Sequence, residues 1–462
     1  MLGIIEAIRD PRIQALLIFI AGYIYICSAK RFRATALWIG VLCLLLLGIY
    51  QPGPDAPGRW SGVVHLLAPQ HMNWNVLMIL LGAMVVADLF IISKVPILLA
   101  DLIIKHLKTV GGAALGVCAM ASLLSAFIEN VTTVLIVAPI AIELARRLKV
   151  SPVPFIIGLA ISSNLQGTAT LIGDPPSLIL ASELRLNFLD FIVYRGKPGI
   201  FWAVQMGAVG SMLALWMLFF RRYKGPVTPP KLVRPTSWFP TWLLVAKILG
   251  LSLIPQLPEH WLPHGELYAN GAVCMAAAIV GLTWYWLWRG KRGVLNRLLK
   301  LDVQSVALLA GIFALTFALK KTGVIDQIAV WISQMVGHDL FLTFTLVVWI
   351  SVLASAFIDN VPYTAVMLPA VLGIASRMEG LPADAALSSF TNTHALLAFG
   401  LLIGACLGGN ISPVGAAANI VGVGILRKEG HRVGFWTFVA MGLPFTIAAT
   451  LPAYLFLWWL WT

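Results

Sequence analysis

Residues 125–139 read SAFIENVTTVLIVAP, and residues 355–369 read SAFIDNVPYTAVMLP. Each places a carboxylate and an amide side by side in apolar sequence: Glu129 with Asn130, then Asp359 with Asn360. The surrounding chain makes that placement costly. Of its 462 residues 60% are hydrophobic and only 11% are charged, and one stretch after another is long enough to cross a bilayer. The chain therefore reads as an integral membrane protein. A net charge of +13 would suggest nucleic acid in a soluble protein, but here Lys and Arg gather in short loops between apolar stretches, the bias of cytoplasmic loops. No nucleic-acid role is read. Cys27, Cys43, Cys118, Cys274 and Cys406 lie inside apolar segments without a CxxC pair, which argues against a disulfide framework or a zinc site. The N-terminus lacks the features of a signal peptide, so the apolar stretch at about 13–29 reads as a retained span.

Loop charge orients the chain. Lys30, Arg31 and Arg33 follow the first span, whereas the long loop 51–72 carries only Arg59, so 30–33 lies inside and 51–72 outside. A span at about 73–93 returns to Lys94, and 95–108 suits a helix lying at the interface. The first motif follows, between an arm that begins beside Lys105 and Lys108 and an arm that ends at Arg146, Arg147 and Lys149. Both open ends want the cytoplasmic side. Two full spans would put Glu129 and Asn130 in an external turn. A re-entrant hairpin would put them deep in the membrane, where non-helical backbone is allowed only if buried in protein or lining a cavity. Phe127, Ile128 and Val131 make a poor solvent loop, and no Gly or Pro separates the arms, which favours the hairpin.

Carried to the C-terminus, the same reasoning keeps Arg185, Arg195 and Lys197 near the outer surface and puts 221–234, 289–300 and 427–432 inside. The second motif then opens outward. The two motifs are 230 residues apart, and a second echo, GTATLIGDPPSLI (167–179) and GNISPVGAAANIV (409–421), keeps Gly167 in register with Gly409 and Gly173 with Gly415. Gly, Ser and Thr in these interruptions suit an unwound helix facing a ligand. Helix packing through small residues is the competing reading, though it leaves Asp174-Pro175-Pro176 unexplained. The expected architecture is an all-α polytopic membrane protein with an inverted-topology repeat, about ten transmembrane helices, two re-entrant hairpins and two broken helices. Residues 1–220 form the first repeat, with an inward-opening hairpin (about 110–147) and a broken helix (about 151–182). A cytoplasmic linker (221–238) leads to the second repeat (239–462), with an outward-opening hairpin (about 340–376) and a broken helix (about 386–425).

These stretches, with GACLGGN (404–410), resemble the ion transporter superfamily, in the branch of arsenite/antimonite permeases, NhaD-type sodium/proton antiporters and the melanosomal P protein. The resemblance covers almost the whole chain from about residue 70. It implies a homodimer, each subunit with a scaffold and a mobile transport domain, and alternating access by an elevator-like displacement. It points to Asn130, Thr132 and Thr133 at the first tip and to Asn360 and Thr364 at the second. It adds Asn164, Thr168, Thr170 and Gly173 in one broken segment, and Asn410, Ser412, Gly415 and Asn419 in the other. Departures from the family pattern are Glu129 for Asp, Gln166 for Gly, Ser177 for Asn, and Pro413 in the fourth motif.

Glu129, Asp174 and Asp359 are the candidates for proton coupling. A charged carboxylate at mid-depth costs of order 2.5–3.5 kcal/mol or more; desolvation raises its pKa and a bound cation lowers it, so one group could exchange a proton for a substrate. Glu129 and Asp359 could equally cap helix ends. Asp88 could join a proton route or pair at the interface, His394 reads as an interface residue, Lys320 and Lys321 snorkel, and Asp302 reads as a partner for a helix N-terminus. Cys406 is either a small packing residue or a thiol ligand. The four motifs hold no Arg or Lys, which favours a neutral or singly charged ligand over a polyanion. The expected activity is proton-coupled efflux of arsenite or antimonite, the alternative a sodium/proton antiporter, and a less favoured one an inorganic anion or carboxylate permease. A channel fits the inverted repeat poorly, and no Ser/His, Cys/His or HExxH arrangement suggests an enzyme. No cofactor beyond the coupling ion, H+ or Na+, and no metal is called for. Expected partners are the lipid bilayer, a small inorganic substrate, a second copy of the chain and, since no ATP-binding loop is present, a cytoplasmic ATPase subunit as an optional addition. The expected location is the plasma membrane, the inner membrane in a Gram-negative cell.

Overall fold

The computed structural model describes residues 10–28, 32–52, 61–68, 71–147, 149–227, 232–254, 265–382 and 389–462. The predicted residue 29 of the first span, parts of the 51–72, 221–238 and 255–266 loops, and the start of the second broken helix lie outside them. Before the first hairpin come α1 (Pro11–Ser28), α2 (Arg33–Leu46), the short α3 (Ser61–Leu67), α4 (Trp74–Ile92) and the predicted interfacial helix α5 (Val95–His106). The hairpin is α6 (Val110–Ser125) and α7 (Asn130–Arg147). The broken helix is α8 (Val153–Gly167) and α9 (Pro175–Leu184), followed by a small turn with strands β1 (Val193–Tyr194) and β2 (Lys197–Pro198), then α10 (Ile200–Leu215). After α11 (Phe239–Leu253) and α12 (Gly265–Leu298), kinked at Gly290, the order repeats. It runs through α13 (Val303–Lys321), α14 (Val324–Val336), the hairpin α15 (Leu340–Ser355) and α16 (Asn360–Met378), the broken pair α17 (Asn392–Gly408) and α18 (Ala417–Lys428), and α19 (Phe435–Trp461).

Local chemistry sets these boundaries twice over. Asn73 caps α4 by accepting from Val76 N, and Asp302 caps α13 by accepting from Ser305 N, 229 residues later. Thr109 opens α6 and Asp339 opens α15 in the same way. Side-chain oxygens at these positions satisfy amides that the first turn cannot. At both tips the first arm ends in matching bonds: Phe127 N and Ile128 N donate to Leu124 O, and Phe357 N and Ile358 N donate to Ala354 O. The helix α14, which occupies the place of α5 in the second half, was not anticipated from sequence. Asp174-Pro175-Pro176 starts a helix rather than only breaking one: both prolines sit in the first turn of α9, where a missing N–H costs nothing.

The hairpins enter from opposite ends of the molecule. At the open end of the first, Gly111 N donates to Tyr223 O, beside Arg221 and Arg222, and Arg146 pairs with Glu429 at 3.0 Å. At the open end of the second, Glu379 accepts from Thr391 and Thr393, while Arg195 bonds Phe390 O and Lys197 reaches Leu460 O. Six helices are long and apolar enough to cross a membrane alone among the described residues: α4, α10 with its terminal π turn, most of α12, α13, α16 and α19. The tip of α16 nevertheless ends inside the protein, as shown below, because α15 and α16 pack on α17.

One glycine in each break holds it against its hairpin tip. A Cβ on Gly173 would lie 2.5 Å from Gly167 O and 2.8 Å from Ser125 O; on Gly415 it would lie 2.7 Å from both Gly409 O and Ser355 O. The contacts are with backbone, which cannot swing away. Gly173→Ala or Gly415→Ala should therefore lower stability by about 1–3 kcal/mol, read as a fall in melting temperature in detergent; an unchanged melting temperature in both would show that the tips are not wedged in this way.

Candidate functional site

The tips and the broken helices meet around a cavity of about 250 Å3. Glu129, Asn130 and Val131 line it from the first tip, and Asp359, Asn360 and Val361 from the second. Asp174, Pro175 and Ala417 come from the two breaks, with Ile420 and Val421 from α18. Opposite stand Arg33 and Ala34 of α2, Leu80 and Met84 of α4, and Asp302, Gln304, Ser305, Leu308 and Leu309 around the start of α13. Among the helices that begin at this cavity are α7, α9, α16 and α18, and each N-terminus carries roughly half a positive charge. Their field opposes that of Glu129, Asp174, Asp359 and Asp302. Arg33 adds the cationic side chain of the wall.

The carboxylates hold different positions. Glu129 Oε2 accepts from Thr132 N at 3.3 Å and from its hydroxyl at 2.9 Å, and Asp359 Oδ1 accepts from Val361 N at 3.1 Å. Both cap the second arm of their hairpin while remaining half-buried in the cavity wall. Asp174 sits at the start of α9 without capping it; instead its Oδ2 accepts from Asn360 Nδ2 at 3.2 Å. It is only 3% exposed, and this bond ties the second tip to the first broken helix. At the corresponding position of the second half stands Ala416, with nearly the same backbone angles.

Behind the cavity the polar side chains bind one another. Asn164 accepts from Asn130 Nδ2 at 3.0 Å and donates to Cys406 O at 2.8 Å and to Asn410 Oδ1 at 3.0 Å, joining the first tip to both broken helices. Thr170 donates to Ala126 O and Ser412 to Ala356 O, equivalent bonds in the two halves. Asn419 Nδ2 donates to Gly409 O at 2.9 Å and Ser412 O at 3.0 Å, crossing the second break. Gly173 and Gly415 give the close approach described above. Thr133 reaches Ile128 O at 3.5 Å. Ser125 Oγ, Thr168 Oγ1, Thr364 Oγ1 and Asn419 Oδ1 are buried oxygens without a hydrogen-bond partner, as is the nitrogen Asn410 Nδ2.

Of the residues picked from sequence, Glu129, Asn130, Asp174, Asp359 and Asn360 thus face the cavity. Thr132, Thr133, Asn164, Thr168, Thr170, Gly173, Thr364, Asn410, Ser412, Gly415 and Asn419 are not part of its wall. Cys406 is buried beside Thr168 and Asn360 and is likewise absent from the wall. Asp88 pairs with Arg297 at 3.5 Å, away from the cavity. His394 belongs to a capping box with Thr391 and contacts Ser376 at 3.0 Å, and Lys321 bonds Gln51 O. Asp302 does cap α13 and also lines the cavity. Arg33, Gln304 and Ser305 were missed: in the sequence Arg33 is one more basic loop residue, and nothing local says that α2 faces the hairpins.

The family model described as citrate transporter (CitMHS) matches residues 16–391, which include both hairpins and the first broken helix. The chain belongs to the citrate transporter family. Among its relatives, a protein named uncharacterized transporter Rv2685 from Mycobacterium tuberculosis is 28% identical over 96% of this chain and 98% of its own length. The human P protein is 28% identical over 72% of this chain and 47% of its own length, in keeping with the branch picked out from the motifs. The solved YdaH transporter from Alcanivorax borkumensis has the same fold: TM-score 0.56, 13% identity, covering 92% of this chain and 97% of that one. The chain is thus a multi-pass membrane transporter of this family.

Asn164→Ala would leave the Asn130 amide, Cys406 O and Asn410 Oδ1 short of a partner. It should cost about 1–3 kcal/mol and increase the reactivity of Cys406 toward a membrane-permeant maleimide. Unchanged melting and labelling would show that the two broken helices do not depend on this link.

Proposed function

We propose that the chain is a cation-coupled secondary transporter working by elevator-like alternating access, in which Glu129, Asp174 and Asp359 carry the coupling cation. The observation that carries this reading is the convergence of these three carboxylates, drawn from both halves, on one cavity between the hairpin tips. A carboxylate pair or triad at such a place can take up a proton or hold Na+ on one side and release it on the other. Behind the cavity wall the buried oxygens of Ser125, Thr364 and Asn419 lack a hydrogen-bond partner and are of the type that suits a dehydrated hard cation. Gly, Ser and Thr at the breaks leave the tips free of bulky side chains, so the hairpins can move with the broken helices as one body.

For the cargo we favour a small carboxylate or oxyanion. Four helix N-termini form anion-binding ends and Arg33 adds a guanidinium suited to carboxylate recognition, while the family is one of citrate transporters. Bound cations on Glu129, Asp174 and Asp359 would offset the carboxylates' repulsion. The arsenite or antimonite reading needs a neutral pocket of amides and hydroxyls. Asn130, Asn360 and Ser305 support it, but the burial of Cys406 away from the wall removes its thiol argument. A homodimer remains the assembly expected from the resemblance.

The test is transport by inverted membrane vesicles energised with a proton gradient, giving citrate, arsenite and sodium separately while internal pH is followed. Citrate movement coupled to protons or sodium supports the first reading; arsenite accumulation without it supports the second. A sodium-induced pH change with neither cargo would make the chain a sodium/proton antiporter. In whichever assay is positive, Asp174→Asn should reduce coupled transport by at least about tenfold, the weight of one differential interaction of 1.4 kcal/mol, while retaining the wild-type elution profile. Normal coupling in Asp174→Asn, Glu129→Gln and Asp359→Asn together would leave these carboxylates with structural roles alone.

A further inference from the structure

At the far end of α13 from Asp302, two histidines meet. His65, on α3, and His71, in the segment leading to α4, bring their Nε2 atoms to 3.2 Å, with ring centroids 4.4 Å apart and planes at 59°. Both are half-buried, so solvent reaches them. The pair is held from three directions. His65 Nδ1–H donates to the Tyr50 carbonyl oxygen at 2.9 Å, and Tyr50 is itself anchored through its hydroxyl to Ala314 O at 3.0 Å. The ring of His71 stacks on Phe317 of α13, with centroids 3.9 Å apart and an interplanar angle of 21°. Phe317 also lies 5.6 Å from the His65 ring. None of these residues takes part in the cavity between the hairpin tips.

We propose that His65 and His71 form a binding site for a divalent transition-metal ion of the Zn2+ type on the outer end of the protein. Tetrahedral zinc with Zn–N bonds of about 2.0–2.1 Å separates two imidazole nitrogens by roughly 3.3 Å, close to the spacing already present. The Tyr50 carbonyl fixes His65 in the tautomer whose Nε2 lone pair points at His71, the outer arrangement that metal-bound histidines use. In the metal-free form His71 Nε2–H donates to that lone pair. An ion held between the rings takes the Nε2 lone pair of each, which requires the His71 tautomer with its proton on Nδ1. Among the described residues no group of three or more His, Cys, Asp or Glu is placed to hold a metal, so the site proposed is a two-histidine one.

Charge around the pair sets the conditions. Burial, then His65, Lys321 and Lys320, hold the His71 pKa below the ordinary imidazole range. The same ammonium groups oppose a dication, which keeps the affinity short of that of a closed structural zinc site. An ion bound there would tie the segment between α3 and α4 to α13, which forms one wall of the cavity.

The experiment is a titration of tag-free, full-length protein in detergent with Co2+, following the visible absorption of the bound ion, then displacement by Zn2+. The wild type should give a saturable spectrum at one ion per chain that Zn2+ removes. His65→Gln and His71→Gln should each weaken binding by about tenfold or more with unchanged elution and melting temperature. If His65→Gln disturbs the Tyr50 contact and does not fold, His71→Gln decides alone. Absence of saturable binding in the wild type, or binding as tight in a folded His71→Gln variant, overturns the site.

Discussion

An interrupted helix inside a bilayer leaves amides and carbonyls that no lipid can satisfy, and every other feature of this protein accommodates that fact. The two breaks, at 168–174 and 409–416, are each covered by a hairpin tip whose backbone carbonyls accept from hydroxyls of the break. Thr170 and Ser412 bond the carbonyls at the ends of α6 and α15, Asn419 spans its own break, and Asn164, in the last turn of α8, bonds Asn410 in the second break. Such backbone is tolerable only where protein surrounds it or a cavity opens beside it. Here both conditions hold, with polar bonding behind and the carboxylate-lined cavity in front.

The two halves repeat this solution in backbone but not in chemistry. Glu129 and Asp359 match, and so do Asn130 and Asn360, yet Asp174 faces Ala416 across the pseudo-symmetry. The unmatched carboxylate is also the deeply buried one, and it accepts its bond from Asn360 of the other half. Asp174 is thus a carboxylate that the two halves share through a hydrogen bond. On the proposed reading, that asymmetry is what gives the coupling cation one preferred place in the cavity.

The architecture was readable because its signals are local or periodic. Apolar stretches, loop charge and two echoes place the spans, hairpins and breaks, and Asp302 caps a helix as read from its position. The site was readable only in part. Motif membership drew attention to most polar residues at the tips and breaks, though not to Ser125 or Ser355, and sequence cannot say which side of an unwound segment a hydroxyl faces. Thr170 and Ser412 turned to backbone, and Cys406 lay sealed among helices. Arg33 and the cavity face of Asp302 come from α2 and α13, whose approach to the hairpins is a long-range contact with no trace in the local pattern. The repeat also hid α14, since its amphipathic sequence follows α13 after a single glycine turn.

The account stands on two hairpins that enter from opposite faces and close on one cavity. Val131→Cys and Val361→Cys, at matching places on the two tips, both line it. The direct measurement is labelling of each, in a cysteine-free background, with an impermeant maleimide applied to either face of sealed vesicles. The account predicts that both are labelled from the same face at any one time, that either face can reach both as the protein cycles, and that reaction on one side removes the signal on the other. Labelling of position 131 only from outside and position 361 only from inside would contradict it, because that is the result expected of two ordinary pairs of full spans joined by solvent turns.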